Sequence, residues 1–182
     1  MTVDENLLKT RKHIHFIGIG GSGMCPLAEI LHAKGYSLQG SDNNESSIVE
    51  RIRKLGIPVM MGQRAENIKG ADMIVYSAAI QRGNEELEAA LESGIPTFTR
   101  AELFGEVTKH FDNCIGICGT HGKTTTTSMT VQAMLSADLD PSAVIGGKLP
   151  LTDSYGRVGK SDTIVCEACE YVDTFLHLFP NV

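Results

Sequence analysis

His13-Ile14-His15-Phe16-Ile17-Gly18-Ile19-Gly20-Gly21-Ser22-Gly23-Met24 is the stretch on which the fold turns. Residues 13–19 alternate and then run apolar, as a strand buried inside a parallel sheet does, and the run stops at a glycine cluster. A helix follows. Met24, Leu27, Ala28 and Leu31 recur at three- and four-residue spacing, Pro26 fits only a first turn, and Gly35 supplies a C-terminal stop. Strand, glycine turn and helix predict the opening unit of a Rossmann-like α/β sheet.

Working outward, the unit repeats. A strand is predicted over 36–40, a helix over 46–55 closed by Gly56, and a strand over 58–61. Next come a strand over 72–77, a helix over 85–92 closed by Gly94, a strand over 95–98 and a helix over 100–109. Strands alternating with helices at this cadence demand parallel pairing with right-handed crossovers, so residues 1–108 read as a doubly wound parallel sheet. The polar run 108–113 loses the periodicity and marks a boundary. The chain then restarts with a buried strand over 114–118, a Gly/Thr-rich loop, a helix over 123–137 and apolar pieces at 143–145 and 163–166. So few elements cannot cover both faces of a sheet. Residues 109–182 therefore read as the incomplete start of a P-loop-type ATP-binding α/β domain, and the chain as a fragment of a longer protein.

Composition narrows the function. With 42% hydrophobic residues in 182 there is enough for a sizeable core, and a net charge of −6 without any dense basic run argues against nucleic-acid binding. Apolar stretches fall short of the ~20 residues that span a bilayer, and the polar start lacks a signal peptide's apolar segment. No membrane association and a cytoplasmic location are expected. The odd set Cys25, Cys114, Cys118, Cys166 and Cys169 fits reduced thiols.

Two glycine loops carry the chemistry. Gly18, Gly20 and Gly23 satisfy G-x-G-x-x-G between a strand and a helix. Residues without a Cβ let backbone N–H groups approach a pyrophosphate at the positive end of the helix. Asp42 lies 42 − 23 = 19 residues beyond the last glycine, where a ribose-binding carboxylate is expected. The structural alternative is a turn needed only for packing, with Asp42 capping the helix at Ser46. The second loop is Gly119-Thr120-His121-Gly122-Lys123-Thr124-Thr125. It supplies backbone donors, a lysine for outer phosphates and hydroxyls for Mg²⁺ in the order a phosphate loop needs. The longer G-x-x-x-x-G-K-[ST] form would need glycine where Ile117 stands, so this is a shortened variant. His121 could touch nucleotide or merely face solvent, and the threonines could serve only as caps. Glu167, at the end of an apolar strand, is placed to hold Mg²⁺ directly or through water. Glu170 follows, and Cys166-x-x-Cys169 lacks a second ligand pair, so buried small residues explain it better than zinc.

Taken alone, the first loop admits a nicotinamide-dependent oxidoreductase, and both loops admit a non-catalytic nucleotide-binding domain. Two different loops in tandem favour a third reading. GIGGSGM at 18–24, GSD at 40–42, YSAAI at 76–80, RAE at 100–102 and GTHGKTTTT at 119–127 resemble the Mur ligases over nearly the whole chain. The resemblance implies an ATP-dependent amide-forming ligase of peptidoglycan precursor synthesis, joining L-alanine to UDP-N-acetylmuramate through an acyl phosphate. It places Gly18, Gly20, Gly21, Ser22, Gly23 and Met24 around the UDP diphosphate, with Asp42 and Ser77 near the uridine part. Gly119, Thr120, His121, Gly122, Lys123, Thr124 and Thr125 would bind ATP. Thr124 and Glu167 would hold Mg²⁺, and Lys123 and Glu167 would serve catalysis. Where the family usually reads E-A-D-E, this chain has Glu167-Ala168-Cys169-Glu170, so one carboxylate is missing at Cys169. The fragment is expected to bind the sugar nucleotide without ligating it.

Overall fold

The computed structural model describes residues 7–149, 154–168 and 171–182. After a short helix α1 (Leu7–Thr10), strands β1 (His13–Ile17), β2 (Ser37–Asp42), β3 (Val59–Met61), β4 (Met73–Tyr76) and β5 (Thr97–Thr99) form one sheet in the order β3-β2-β1-β4-β5. Every pairing in it is parallel. The expected doubly wound sheet is present, with strand order reversing between β1 and β4. That reversal opens a crevice at the carboxyl ends of the central strands, the place where such sheets take ligands.

The helices connecting these strands are α2 (Cys25–Ala33), α3 (Ser47–Lys54), α4 (Glu85–Glu92) and α5 (Arg100–Thr108). Each starts for a local reason. Pro26 stands in the first turn of α2. The Ser46 hydroxyl accepts from the Val49 amide, the Asn84 side chain accepts from the Glu86 and Leu87 amides, and Thr99 and Glu102 form a reciprocal capping box. Such caps contribute about 1 kcal/mol each. Predicted and observed helix ends differ by at most one residue here.

A second sheet has the order β6-β9-β7-β8, from β6 (Asn113–Ile117), β7 (Ser142–Leu149), β8 (Ser154–Arg157) and β9 (Thr163–Glu167), with α6 (Lys123–Ser136) crossing over. Pairings β6–β9 and β7–β9 are parallel and β7–β8 is antiparallel. This is more than the sequence predicts. Apolar periodicity stops at Ile145 because two glycines follow, yet the strand continues to Leu149 and turns back on β8, whose polar Ser-Tyr-Gly-Arg carries no strand signal. The turn-rich segments Ala65–Ile68 and Tyr171–His177 are 3-10 helices, also unpredicted.

One apolar cluster runs through both sheets, taking in Phe16, Met24 and Leu31 beside Phe104, Val107, Val144, Ile164 and Cys166. Helices α2 and α5 are therefore buried from both sides. Phe16 and Phe104 are at most 1% exposed, and truncating either to alanine costs about 3–5 kcal/mol. By contrast α6 buries only Thr127 and Val131 and leaves Met129 at 66% exposure.

Candidate functional site

The first glycine loop is held from below. The Ser41 carbonyl accepts from the Gly18 and Ile19 amides, and Asp42 Oδ2 accepts from the Gly20 amide at 2.9 Å. Asp42 Oδ1 accepts from Asn44, so the carboxylate ties the end of β2 to the loop; the cap of α3 is Ser46. A Cβ on Gly20 would stand 2.8 Å from Asp42 Oδ2 and from Val49 Cγ2, so only glycine admits this approach. Gly21 and Met24 are tied by loop hydrogen bonds to Gly18 and Gly21. Among the described residues, the Ser22 and Gly23 amides have no partner within the chain. They are the donors left for an anion at the start of α2.

The Met24 side chain is 1% exposed and belongs to the core, so of the loop residues expected at the ligand it alone turns away. Beside the loop, a cavity of about 300 Å³ is walled by Gly18, Gly20, Gly21, Asp42 and Ser77 together with Asn43, Ser46, Gln63 and Ile80. It gathers the residues predicted for the nucleoside side. Asn43 and Gln63 were not predicted. They stand just past the ends of β2 and β3, and their position beside strand ends in this topology was the available signal.

Beneath the loop lies a buried network. His15 Nε2 and Glu86 Oε1 are 2.6 Å apart, and the Ser41 hydroxyl donates to Glu86 Oε2 at 2.6 Å, with all three residues at 0% exposure. It joins α4 to β1 and β2 directly under the residue whose carbonyl holds Gly18 and Ile19.

The second loop is built differently. Gly122 takes a left-handed φ of 78° at the start of α6, with no side-chain cap. The Thr120, His121 and Gly122 amides find no partner among the described residues. Gly119, Thr120, His121, Gly122, Thr124 and Thr125 are exposed, and Lys123 Nζ donates to the Gly119 carbonyl at 2.7 Å, lying across its own loop. Glu167 ends β9 opposite Ile117 of β6. Its Oε1 accepts from the Gly146 amide at 2.7 Å, and a Cβ on Gly146 would stand 2.8 Å from Oε2. Thr124 Cγ2 lies 2.9 Å from the Cβ position of Gly147. Thr124 and Glu167 thus face consecutive glycines of β7. A carboxylate and a threonine hydroxyl are oxygen donors of the kind Mg²⁺ takes, and Mg²⁺ keeps much of its water and needs few protein ligands. Among the described residues no group of three or more His, Cys, Asp or Glu is placed to hold a metal ion. Cys169 and Glu170 lie outside the described residues.

Cys25, Cys114, Cys118 and Cys166 are free thiols. Cys114 Sγ and Cys166 Sγ are 3.9 Å apart, and the contact with Cys114 together with burial pushes the Cys166 thiol far above its ordinary range.

The two halves meet at a cavity of about 250 Å³ lined by Ser22, Gly23, Arg100, Phe104, Gly146 and Glu167, among others. Ser22 and Gly23 of the first loop and the candidate metal carboxylate thus line one cavity.

Residues 13–112 match the family described as Mur ligase family, catalytic domain. This chain belongs to the Mur ligase family. It is 48% identical to UDP-N-acetylmuramate–L-alanine ligase of Agathobacter rectalis over 170 residues, 93% of this chain and 37% of that protein. It is 46% identical to the ligase of the same name from Lachnoclostridium phytofermentans, over 92% of this chain and 36% of that one. Among solved structures, it resembles the UDP-N-acetylmuramate:L-alanyl-gamma-D-glutamyl-meso-diaminopimelate ligase from Neisseria meningitides, with a TM-score of 0.84 and 32% identity over 94% of this chain and 59% of that one. UDP-N-acetylmuramate-alanine ligase from Thermotoga maritima gives a TM-score of 0.83 at 28% identity, over 94% of this chain and 40% of that one. This Mur ligase chain thus spans a little over a third of the length of the two curated relatives.

Proposed function

We propose that this chain supplies the sugar-nucleotide site and the ATP loop of a cytoplasmic ligase that joins L-alanine to UDP-N-acetylmuramate in peptidoglycan precursor synthesis. Residues 1–108 form the sugar-nucleotide domain and residues 109–182 the first part of the ATP-binding domain. The observation that carries this reading is the shared cavity, which Ser22, Gly23 and Glu167 all line. The similar ligases differ by name in the amine component, and all are named for UDP-N-acetylmuramate. Support is therefore strongest for the sugar nucleotide, and L-alanine rests on the curated relatives.

The chemistry asks for what these residues offer. A carboxylate is a poor electrophile because its leaving group would be oxide, and phosphorylation by ATP converts it into an acyl phosphate that an amine can attack. Bringing an anionic sugar nucleotide to an anionic triphosphate requires cationic and N–H donors. The Ser22 and Gly23 amides hold the diphosphate, while Asp42 and Ser77 frame the nucleoside. Lys123 leaves the Gly119 carbonyl for the outer phosphates of ATP, which the Thr120, His121 and Gly122 amides cradle. Thr124 and Glu167 would hold Mg²⁺, which when bound would neutralise phosphate charge. The chain alone binds without ligating.

Calorimetric titration of the 182-residue chain with UDP-N-acetylmuramate, NAD and Mg-ATP tests this. Saturable binding of the first and third is expected, with no alanine-dependent ADP release. Saturable NAD binding without sugar-nucleotide binding would replace the ligase reading with a nicotinamide enzyme.

A further inference from the structure

Three polar side chains stand where packing asks for apolar ones. His15 of β1, Ser41 of β2 and Glu86 of α4 are each at 0% exposure, on the side of the sheet where Ile17, Ile74, Leu87 and Ala90 form an apolar cluster. An acid in the first turn suits the positive end of a helix, but exposed Glu85 already supplies one, and Glu86 turns inward. Burying a carboxyl group is costly unless its partners offset it, and apolar groups of the same volume often serve stability as well or better. Here the offset is incomplete, because His15 Nδ1 has no hydrogen-bond partner among the described residues. Net stability therefore does not account for the network.

What the network does hold is the end of β2. Glu86 Oε1 lies 2.6 Å from His15 Nε2, and Glu86 Oε2 accepts from the Ser41 hydroxyl at 2.6 Å. The Ser41 carbonyl in turn accepts from the Gly18 and Ile19 amides at 2.9 and 3.0 Å, and the Asp42 carboxylate next to it accepts from Gly20. Three successive amides of the first glycine loop thus hang on residues 41–42. Asp42 bonds only the loop and Asn44, so the tie from this strand end to a helix is the Ser41 hydroxyl. A shift at Ser41 would carry the loop with it. A packing rule broken at a point that sets the form of a binding loop is expected where function, not stability, decides the residue.

We propose that Glu86 is a positioning residue: braced by His15, it fixes Ser41 and, through the Ser41 carbonyl, the height at which the first loop presents its amides, an assignment that rests on the sugar-nucleotide reading above. Glu86 does not line the nucleotide cavity and touches no ligand. Its effect falls on the diphosphate held by the loop, and not on the nucleoside beside Asn43, Gln63 and Ile80.

The test uses the 182-residue chain. Removing one member strands the others, so His15→Leu, Ser41→Ala and Glu86→Met are combined in a triple variant that strands nothing. By circular dichroism it should melt close to the native chain and above Glu86→Ala. Calorimetry should show UDP and UDP-N-acetylmuramate bound about tenfold more weakly, because the ligand must then order the loop itself. Uridine affinity, read by ligand-observed NMR, should change less than about twofold, since no contact to the nucleoside is lost. Glu86→Gln, whose amide can bond both His15 and Ser41, should bind UDP at least about threefold more tightly than the triple variant, a rescue that a packing role does not require. Full UDP affinity in a folded triple variant overturns the proposal while the sugar-nucleotide site stands. An equal loss for uridine and UDP also overturns it, by making the network part of the general scaffold. Should the triple variant not fold, Ser41→Ala decides: it cuts the tie to the loop and leaves the His15–Glu86 pair, so UDP affinity should fall with uridine affinity unchanged, and unchanged UDP affinity overturns the proposal. If the native chain binds neither UDP nor UDP-N-acetylmuramate, the sugar-nucleotide reading fails and the Glu86 assignment falls with it.

Discussion

The two glycine loops of this chain, both proposed to bind phosphate, are built on opposite structural terms. The first sits over a five-stranded parallel sheet, pinned by the Ser41 carbonyl and the Asp42 carboxylate, with a fully buried His15–Glu86–Ser41 network beneath it. The second stands exposed at the head of a helix that buries two residues, its lysine resting on its own loop. A pinned loop presents fixed donors, and most of its ordering entropy is spent on folding. An open loop must be ordered by its ligand. Mutations should therefore act on stability through the first loop and on binding alone through the second.

Deleting a carboxylate from each half gives the sharpest contrast. Glu86→Ala strands His15 Nε2 and the Ser41 hydroxyl at zero exposure. The cost is about 2–4 kcal/mol, because two buried polar groups lose their hydrogen-bond partner, which lowers Tm by roughly 10 °C in a chain this size. Glu167→Ala removes an exposed hydrogen bond to Gly146, whose amide can turn to water, so the loss should stay below about 1 kcal/mol. Thermal melts of both variants check the difference; comparable shifts would erase the distinction between the halves.

Asp42 comes next in size, because it stands in both columns. Asp42→Ala frees the Gly20 and Asn44 amides from a charged acceptor. The expected stability loss is about 2 kcal/mol, with UDP affinity down about tenfold as the loop loses its shape. A variant that melts normally and binds UDP normally would show that the loop's form is set by its glycines alone.

Much of this was legible in the sequence, for identifiable reasons. The first sheet announces itself because its central strands β1 and β4 are buried apolar runs and each helix carries its own cap or stop, from Ser46 and Thr99 to Gly35 and Gly56. Both loops announce themselves by their glycine spacing between a strand and a helix, the pattern on which the phosphate reading is proposed. Three features were not legible. The antiparallel return of β7 on β8 hides behind Gly146-Gly147 and a polar strand, since its burial is decided by α2 packing on it and not by local pattern. His15 reads as any strand residue until α4 brings Glu86 across 71 positions of sequence. Arg100 reads as a helix residue until the fold lays it on Gly23. Each of the three depends on contacts between elements distant in sequence, which periodicity does not encode.

Lys123→Ala probes the second loop in turn. A half-buried lysine at the head of an open helix should contribute less than about 1 kcal/mol to stability, so the melt should shift little. Mg-ATP affinity should fall about tenfold or more with the loss of a charged phosphate donor. Retained ATP affinity would remove Lys123 from the site and leave the loop's amides as its only phosphate ligands.

The smallest effect follows from two cysteines that flank the loops. Cys25 follows the first loop and is 2% exposed; burial, with nearby Glu29 adding to it against Arg51, pushes its thiol up to about 12 from 9.0. Cys118 precedes the second loop and is exposed. At pH 9 only about one Cys25 thiol in a thousand is ionised in the native chain. Iodoacetamide should therefore label Cys118 first and reach Cys25 only on unfolding, as peptide mass mapping would show. The sign of the linkage is fixed by the raised value. The neutral thiol is favoured in the native state, so the stability Cys25 contributes is complete below pH 9 and drains as pH climbs toward 12, because the unfolded chain releases that proton first. Cys25→Ala should flatten that alkaline loss by a small margin, whereas Cys118→Ala should leave it untouched; equal slopes for the two variants would mean that the ground beneath the first loop is as accessible to water as the second loop itself.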